Sequence, residues 1–149
     1  MKSLWAPWRN KYIYSRKNKK CIFCEPKDYV LEKTKYSFSI LNIYPYNNGH
    51  VMVSPHRHVK TLENLSDKEL KDLMNLVIKT KKILDKKLKP HGYNIGFNIG
   101  KAAGAGFAGH IHIHIVPRWA GDTNFMLAVS GTKVVSDSLD AMYKLFRRK

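Results

Sequence analysis

Apolar and polar residues alternate strictly in one run near the end of the chain, His110-Ile111-His112-Ile113-His114-Ile115-Val116. Successive side chains of a strand point to opposite faces, so this period of two residues predicts a β-strand and excludes a helix. We expect the strand to extend from His110 to Pro117. Its three histidines would share one face, and its isoleucines would face the core on the other side.

Other parts of the chain show short apolar runs rich in β-branched and aromatic residues, which are typical of strands. These runs are Tyr36 to Ile43, His50 to Ser54, and Tyr93 to Asn98. After the second run, leucines and valine at helical spacing predict one long helix. Ser66 and Glu69 fit a capping box at its start, and Pro90 should end it. A second helix is predicted from Asp137 to Arg147.

Four strands around one crossing helix predict an α+β fold, with an antiparallel sheet and helices on one face. A length of 149 residues suits one core, so we expect a single domain over residues 1–149. Residues 1–20 form a basic, aromatic arm that is too short to fold alone and should pack on the body or on a partner subunit. Without a membrane-length apolar stretch or a secretory signal, the protein is expected in the cytoplasm, with no membrane partner.

The formal net charge of +16 raises the question of nucleic-acid binding. The basic residues lie in separate runs and are not interleaved with aromatic residues. The main runs are Lys17 to Lys20, Lys79 to Lys89, and Arg147 to Lys149. We interpret the charge as a solvated surface that also attracts polyphosphates, and we do not expect nucleic acid as a partner.

Three imidazoles on one face of a strand can hold a metal, bind phosphate or provide a nucleophile, although the alternation alone also fits a plain polar face. The residues around the run favour chemistry. A loop rich in glycine and alanine, Gly100 to Gly109, leads straight into it. Backbone N–H groups of such a loop can approach an anion closely, which favours phosphate binding beside the histidines.

The pattern His-φ-His-φ-His-φ-φ, where φ is apolar, resembles the signature of the histidine triad (HIT) family of nucleotide hydrolases and transferases, and all seven positions fit. The resemblance extends from about Cys21 to Phe125. It implies the family's α+β fold, with one long helix and a C-terminal helix, and a homodimer. It also implies that His112 is a nucleophile that forms a transient nucleotidyl-histidine. His114 would contact the phosphate, and His110 would support the site or bind metal.

The segment Asn47 to Pro55 resembles the family's Gly-His-φ-φ-φ-x-Pro segment, which places His50 beside the triad. By the same resemblance Asn42 would bind the ribose and Asn98 the α-phosphate. Amide groups both donate and accept hydrogen bonds, as these contacts require. Taken alone, these residues are equally well explained as turn residues.

The loop before the triad departs from the family pattern, because Lys101 to His110 contains none of the Gln, Ser or Thr that many members carry there. Backbone amides, Lys101, Thr123 or Asn124 would have to make that contact instead. The phosphate-binding candidates in the loop are Lys101, Gly104, Ala105 and Gly106.

Two flanking segments, Leu4 to Arg9 and Pro117 to Phe125, are similar to those of bacterial HIT proteins that resemble diadenosine tetraphosphate phosphorylases. Trp119 in the second segment offers a surface on which a base can stack. Buried packing is the alternative for this tryptophan, and Tyr44 and Phe23 are alternative residues for a base pocket.

The Cys-x-x-Cys pair Cys21 and Cys24 supplies half of a tetrahedral zinc site, although a redox pair or two core thiols also fit the sequence. Zinc-bearing HIT proteins and the related galactose-1-phosphate uridylyltransferases add two histidines. One follows the Pro of the Gly-His segment by three residues, and the other is the first of the triad. The resemblance therefore implies a structural Zn²⁺ on Cys21, Cys24, His58 and His110, and no organic cofactor is expected.

The resemblance implies cleavage of dinucleoside polyphosphates such as diadenosine tetraphosphate. Phosphate as acceptor would make the protein a phosphorylase, and water would make it a hydrolase. Two alternatives stay open: hydrolysis of nucleoside phosphoramidates by the same histidine, and a nucleotide-binding regulatory module with incidental hydrolysis. Adenosine nucleotides or dinucleoside polyphosphates are the expected partners.

Overall fold

The computed structural model describes residues 21–122 and 137–147. Its strands are β1 (Val30–Lys33), β2 (Ser37–Leu41), β3 (Val51–Pro55), β4 (Gly92–Phe97) and β5 (Ile113–Arg118), and its helices are α1 (Asp67–Leu88) and α2 (Leu139–Arg147). Single turns of 3₁₀ helix lie at Leu62–Asn64 and Lys101–Ala103. The predicted N-terminal arm, residues 1–20, lies outside the described residues. The candidate phosphate contacts Thr123 and Asn124 lie outside them as well.

The five strands form one antiparallel sheet in the order β1-β2-β3-β5-β4. The predicted α+β class, with its antiparallel sheet and two helices, is confirmed. The sheet has one strand more than the sequence pattern predicted. The extra strand, β1, has four residues and an irregular register with β2 between Val30 and Glu32, so it carries no clear alternation. The triad strand β5 pairs with β3 on one side and with β4 on the other, which fixes it from both sides.

The main hydrophobic core lies between the two helices and one face of the sheet, where Ile113 and Ile115 of β5 are 2% and 0% exposed. Its buried members are Leu41, Val51, Val53, Leu73, Leu76, Val77, Leu84, Ile113, Ile115 and Met142. A smaller cluster of Phe23, Phe38 and Met52 forms a second core. Met52 pairs with His114 across β3 and β5, so this second core lies on the histidine face. The isoleucines of the alternating run therefore face the helices, and the histidines face away from them.

The long helix α1 begins and ends as predicted. The Ser66 side chain accepts from the Glu69 N–H, and the Glu69 carboxylate accepts from the Ser66 N–H, which completes the capping box. The helix ends at Leu88, two residues before Pro90. Helix α2 begins two residues after the predicted Asp137. Within the described ranges, no helix has the length and apolar character needed to span a membrane.

Strand β5 begins at Ile113, so the prediction of a strand from His110 was wrong by three residues. The backbone just before Ile113 bonds outside the sheet ladder. The Ile111 N–H donates to the Val59 carbonyl at 2.7 Å, and the Ser54 hydroxyl donates to the Ile111 carbonyl at 2.9 Å. Val59 lies outside the sheet, and Ser54 of β3 bonds through its side chain, so neither bond at Ile111 is a backbone bond between strands. The strand therefore begins only at Ile113.

Gly49 lies in the turn that leads to His50, and its backbone is left-handed, with φ of +68°. A Cβ at this position would clash with Leu88 Cδ1, which is the end of a flexible side chain and would have to move. We expect Gly49→Ala to lower the free energy of unfolding by about 1–2 kcal/mol, chiefly because a side chain is strained in the left-handed conformation. Urea unfolding measures this change.

Gly92→Ala is the matched control, since a Cβ there has nothing within 4 Å. Its free energy of unfolding should change by less than about 0.5 kcal/mol. Equal effects of the two substitutions would show that the turn before His50 tolerates a side chain.

Candidate active site

The ring of His112 is hydrogen-bonded to the backbone two residues before it. Its Nδ1 lies 2.9 Å from the His110 carbonyl oxygen. A carbonyl only accepts, so Nδ1 carries the proton and Nε2 keeps a free lone pair. Burial lowers the pKa of His112 below its ordinary value, which favours the neutral ring. A neutral, oriented imidazole with a free Nε2 is a competent nucleophile towards phosphorus.

A second chain of hydrogen bonds fixes the proton positions of His50 and His114. The Tyr46 backbone N–H donates to His50 Nδ1 at 3.1 Å, and the Asn42 side-chain amide lies 3.3 Å from the same nitrogen. His50 Nδ1 is thus an acceptor, and His50 carries its proton on Nε2. That nitrogen donates to His114 Nδ1 at 2.9 Å, which leaves the His114 proton on Nε2.

His114 Nε2 is buried and has no hydrogen-bond partner in the described part of the chain. A buried N–H without a partner is energetically unfavourable unless a ligand satisfies it. The nitrogen belongs to the ring that follows His112 on the same face, with ring centroids 4.9 Å apart. The arrangement therefore places a nucleophilic nitrogen and an N–H donor side by side, as transfer at a phosphate requires.

Burial depresses the pKa of both rings in this second chain. It lowers the pKa of His50 to about 3 and that of His114 to about 4, with repulsion from neighbouring histidines as the smaller cause. Both rings are consequently neutral near pH 7. The proton positions assigned above to His50 and His114 require both rings to be neutral.

The depressed pKa of His50 predicts a loss of stability in acid. The unfolded chain takes up a proton at this residue below about pH 6.5, while the folded chain resists protonation until about pH 3. Stability should therefore be complete above pH 6.5 and fall as the pH drops. For this residue the loss between pH 7 and pH 5 should be about 2 kcal/mol.

Urea unfolding of wild type and His50→Gln at both pH values measures this contribution, because the two proteins share every other titrating group, and only the neighbouring His114 loses a direct contact with residue 50. The variant should be less stable at pH 7 and should lose about 2 kcal/mol less on acidification. The same acid loss in both proteins would contradict a neutral, buried His50.

Two cysteines and two histidines form a compact cluster next to the triad. Their ligand atoms all lie within 4.8 Å of one another. Cys21 Sγ is 3.3 Å from His110 Nδ1, and Cys24 Sγ is 3.1 Å from His58 Nδ1. Two sulfur and two imidazole ligands at these distances fit a tetrahedral zinc ion.

The orientation of His110 supports this fit. Its Nε2 lies 2.9 Å from the Pro55 carbonyl oxygen, so the proton is on Nε2 and the Nδ1 lone pair faces the two sulfur atoms. A backbone carbonyl on the outer nitrogen is the usual partner of a metal-binding histidine. Nδ1 of His110 therefore points to the two cysteines of this cluster, while the His110 backbone carbonyl accepts from His112 Nδ1.

The structure brings the predicted ribose and phosphate residues to the same region. Asn42 is buried beside His50, and its Oδ1 accepts from the Tyr44 N–H at 2.9 Å. The amide of Asn98 faces the glycine loop, where a Cβ on Gly104 would lie 4.0 Å from Asn98 Nδ2. The remaining loop candidates are partly or fully exposed: Lys101, Gly104, Ala105 and Gly106. Their contacts to a nucleotide stay predictions.

Trp119 lies apart from the other candidates. It follows the last residue of β5, five positions beyond His114, which corresponds to about 16 Å along a strand. Its backbone N–H donates to Asp122, which also accepts from Arg118 and Asn47. Base stacking by Trp119 stays a prediction, and the described residues give it no partner in the histidine cluster.

Sequence reasoning missed several contributors to the site. Pro55 acts through its backbone carbonyl, which no side-chain pattern reveals. Tyr46 contributes its backbone N–H to His50, and its ring also packs on His50 and His114, with centroids 4.6 and 5.6 Å away. Phe23 was considered only for a base pocket, but it is 2% exposed and stacks on His112. Because Phe23 lies between Cys21 and Cys24, whose proposed metal partner His110 belongs to the triad, the sequence could have predicted that Phe23 lies near His112.

Comparison with known proteins gives consistent results. The HIT domain family matches residues 24–121. The AP-4-A phosphorylase of Mycobacterium tuberculosis is 36% identical to this chain over 154 residues, covering 93% of this chain and 79% of the relative. The adenosine 5'-monophosphoramidase hnt1 of Schizosaccharomyces pombe is 35% identical over 103 residues, covering 66% of this chain and 74% of the relative.

A solved structure supports the same grouping. The crystal structure of a zinc-bound histidine triad family protein from Mycobacterium smegmatis matches with a TM-score of 0.69 and 25% identity, covering 85% of this chain and 90% of that protein. The similarity therefore extends over most of both chains.

Proposed function

The chain belongs to the HIT family, and from this premise we propose that it is an enzyme that cleaves dinucleoside polyphosphates of the diadenosine tetraphosphate type through a nucleotidyl-histidine on His112. The observation that carries the proposal is the bond from His112 Nδ1 to the His110 carbonyl, which leaves Nε2 free. The similarity to an AP-4-A phosphorylase over 93% of the chain supports the substrate class.

In the first step, the Nε2 lone pair of His112 attacks the phosphorus of one adenylyl group. A P–N bond forms while the P–O bond to the leaving nucleotide breaks, and the leaving oxygen takes the electron pair. The imidazole gains positive charge as it bonds. The His110 carbonyl at Nδ1 stabilises that charge, and the Nε2–H of His114 donates to a phosphate oxygen.

In the second step, an acceptor oxygen attacks the same phosphorus, the P–N bond breaks, and its electron pair returns to His112 Nε2. Water as acceptor gives AMP and releases a proton. Inorganic phosphate as acceptor gives ADP. The phosphorylase relative leads us to favour phosphate.

The predicted contacts complete the site in this proposal. Asn42 would bind the ribose and Asn98 the α-phosphate, while the backbone of the loop from Gly104 to Gly106 and Lys101 would hold the remaining phosphates. The loop provides no hydroxyl or amide side chain between Lys101 and His110. Backbone N–H groups would therefore contribute more to phosphate binding here than in family members that carry Gln, Ser or Thr in this loop.

A zinc ion on Cys21, Cys24, His58 and His110 would act structurally, because four protein ligands leave no open position for a substrate. Such an ion would fix the backbone of His110, whose carbonyl orients His112.

The homodimer and the cytoplasmic location stay part of the proposal. Among the strands of the described residues, β4 is an edge of the sheet, and its Ile95 is 44% exposed. An unpaired edge with an exposed apolar residue is suited to pairing with a second copy. Light scattering of the purified protein distinguishes one copy from two.

Cleavage of nucleoside phosphoramidates is the second candidate, favoured by the 35% identity to an adenosine 5'-monophosphoramidase. It requires the same attack by His112, but the leaving atom is nitrogen. The two candidates therefore differ in the leaving group and share the histidine.

Product analysis with diadenosine tetraphosphate tests the proposal, with and without phosphate and with adenosine 5'-phosphoramidate as a parallel substrate. ADP plus ATP formed only with phosphate indicates a phosphorylase, and AMP plus ATP without phosphate indicates a hydrolase. Turnover of the phosphoramidate alone would favour the second candidate. No turnover of either substrate would favour a nucleotide-binding regulatory module and overturn the proposal.

A further inference from the structure

One face of the His112 ring is covered by Phe23. The two ring centroids are 4.6 Å apart with an interplanar angle of 26°, which is a stacked contact. His114 meets the ring edge to face at 4.9 Å and 72°. His112 thus has one hydrogen bond in its plane and an aromatic ring on each of two sides.

Phe23 is itself held firmly. It is 2% exposed and packs with Phe38 and Met52, and Phe107 meets it edge to face at 6.2 Å. Its neighbours Cys21 and Cys24 both belong to the metal cluster, and a turn with a bond of 3.2 Å from the Cys24 N–H to the Cys21 carbonyl closes around it. The cluster turn therefore aims this side chain at His112.

We propose that Phe23 is a positioning residue, which keeps the His112 imidazole in the orientation that presents Nε2 to the substrate. The inference rests on the proposed function of His112 and goes beyond it. A single hydrogen bond at Nδ1 leaves the ring free to rotate about its Cβ–Cγ bond and lose that bond. A stacked ring at 4.6 Å blocks this rotation, because the turning imidazole would have to pass through Phe23.

The test compares Phe23→Leu with Phe38→Leu in the zinc-loaded protein. Phe38 is 0% exposed, belongs to the same apolar cluster and stacks on a histidine, but that histidine is His56. The two substitutions remove the same atoms from the same core, and only Phe23→Leu removes the ring contacts with His112 and, at 5.4 Å, with His110. Zinc content is measured because His110 belongs to the proposed zinc site. Phe23→Met serves as a second variant that fills more of the volume without an aromatic plane, should the leucine variant not fold.

We expect Phe23→Leu and Phe23→Met to lower kcat about 10- to 100-fold, while KM changes less than about threefold and zinc content stays that of wild type. Phe38→Leu should keep kcat within about threefold of wild type. A histidine misplaced by an ångström or a rotated ring loses attack geometry and does not lose substrate binding, which is why kcat and KM separate.

Nitrogen-15 NMR of the histidine rings gives a readout that needs no substrate. Wild type and Phe38→Leu should show His112 as a single tautomer with the proton on Nδ1. Phe23→Leu should show averaging of the two nitrogen signals, as expected for a ring that leaves the His110 carbonyl. This measurement can be made even if the protein does not turn over the proposed substrates. A failure of the proposed function can therefore be distinguished from a failure of the proposed role of Phe23.

Four results would overturn the role of Phe23. An unchanged His112 tautomer signal in Phe23→Leu would show that the hydrogen bond alone holds the ring. A raised KM with unchanged kcat would assign Phe23 to a base pocket. Equal losses of kcat in Phe23→Leu and Phe38→Leu, or loss of zinc from Phe23→Leu, would show a general contribution to folding of the cluster.

Discussion

Replacing His112 with asparagine is expected to lower kcat for diadenosine tetraphosphate at least about a thousandfold. The substitution removes the nitrogen that forms the P–N bond, and an amide cannot take its place as a nucleophile. Nucleotide affinity should stay within about tenfold of wild type, because His114 Nε2 and the loop amides remain. The measurements are steady-state kinetics and equilibrium binding of a slowly cleaved analogue.

His91→Asn is the control for this experiment. His91 is an exposed histidine whose Nδ1 accepts from the Ala120 N–H, beyond the far end of β5. Its substitution should leave kcat within about twofold of wild type. Turnover by His112→Asn within tenfold of wild type would contradict nucleophilic catalysis by His112 and would favour a regulatory module with incidental hydrolysis.

With the proposed zinc ion on Cys21, Cys24, His58 and His110, replacing His58 with asparagine is expected to abolish zinc binding and to lower the melting temperature by about 10–20 °C. His58 Nδ1 lies 3.1 Å from Cys24 Sγ, and asparagine is a poor ligand for zinc. The loss of binding free energy is a loss of folding free energy, since the four ligands are assembled only in the folded chain. Elemental analysis of the purified protein and calorimetry measure the two effects.

His56 provides a matched control two residues away. It is exposed like His58, but it stacks on Phe38, and its Nε2 lies 3.2 Å from the Thr34 carbonyl, outside the metal cluster. His56→Asn should keep one zinc ion per chain and lose only a few degrees of stability. Wild-type zinc content in His58→Asn, or equal loss of zinc from both variants, would refute the assigned ligand set.

The alternating run predicted which residues face the core and which lie on the opposite face, because strand geometry ties a period of two to opposite faces. Ile113 and Ile115 are buried against the helices, and His112 and His114 contact each other on the opposite side. The capping box likewise predicted the start of α1, since Ser66 and Glu69 satisfy each other locally. Such features need only neighbouring residues, and they are readable from the sequence.

The parts that sequence could not predict depend on contacts between distant residues. The start of β5 shifts to Ile113 because Ile111 bonds to Val59, 52 residues away in the chain. The tautomer of His50 depends on a backbone N–H of Tyr46, and that of His110 on the Pro55 carbonyl. Backbone groups carry no side-chain signature, so their roles emerge only when the fold brings them to the site.

The measurement that tests the central claim most directly is rapid-quench mass spectrometry of the enzyme during turnover of diadenosine tetraphosphate. Trypsin should release a peptide from Ala102 to Arg118 that contains all three triad histidines. We predict an adenylyl group on this peptide, stable in base and lost in acid, with fragment ions that assign it to His112. The account would be contradicted if the enzyme cleaves the substrate but its peptide carries no adenylyl group, or carries the group on His110 or His114.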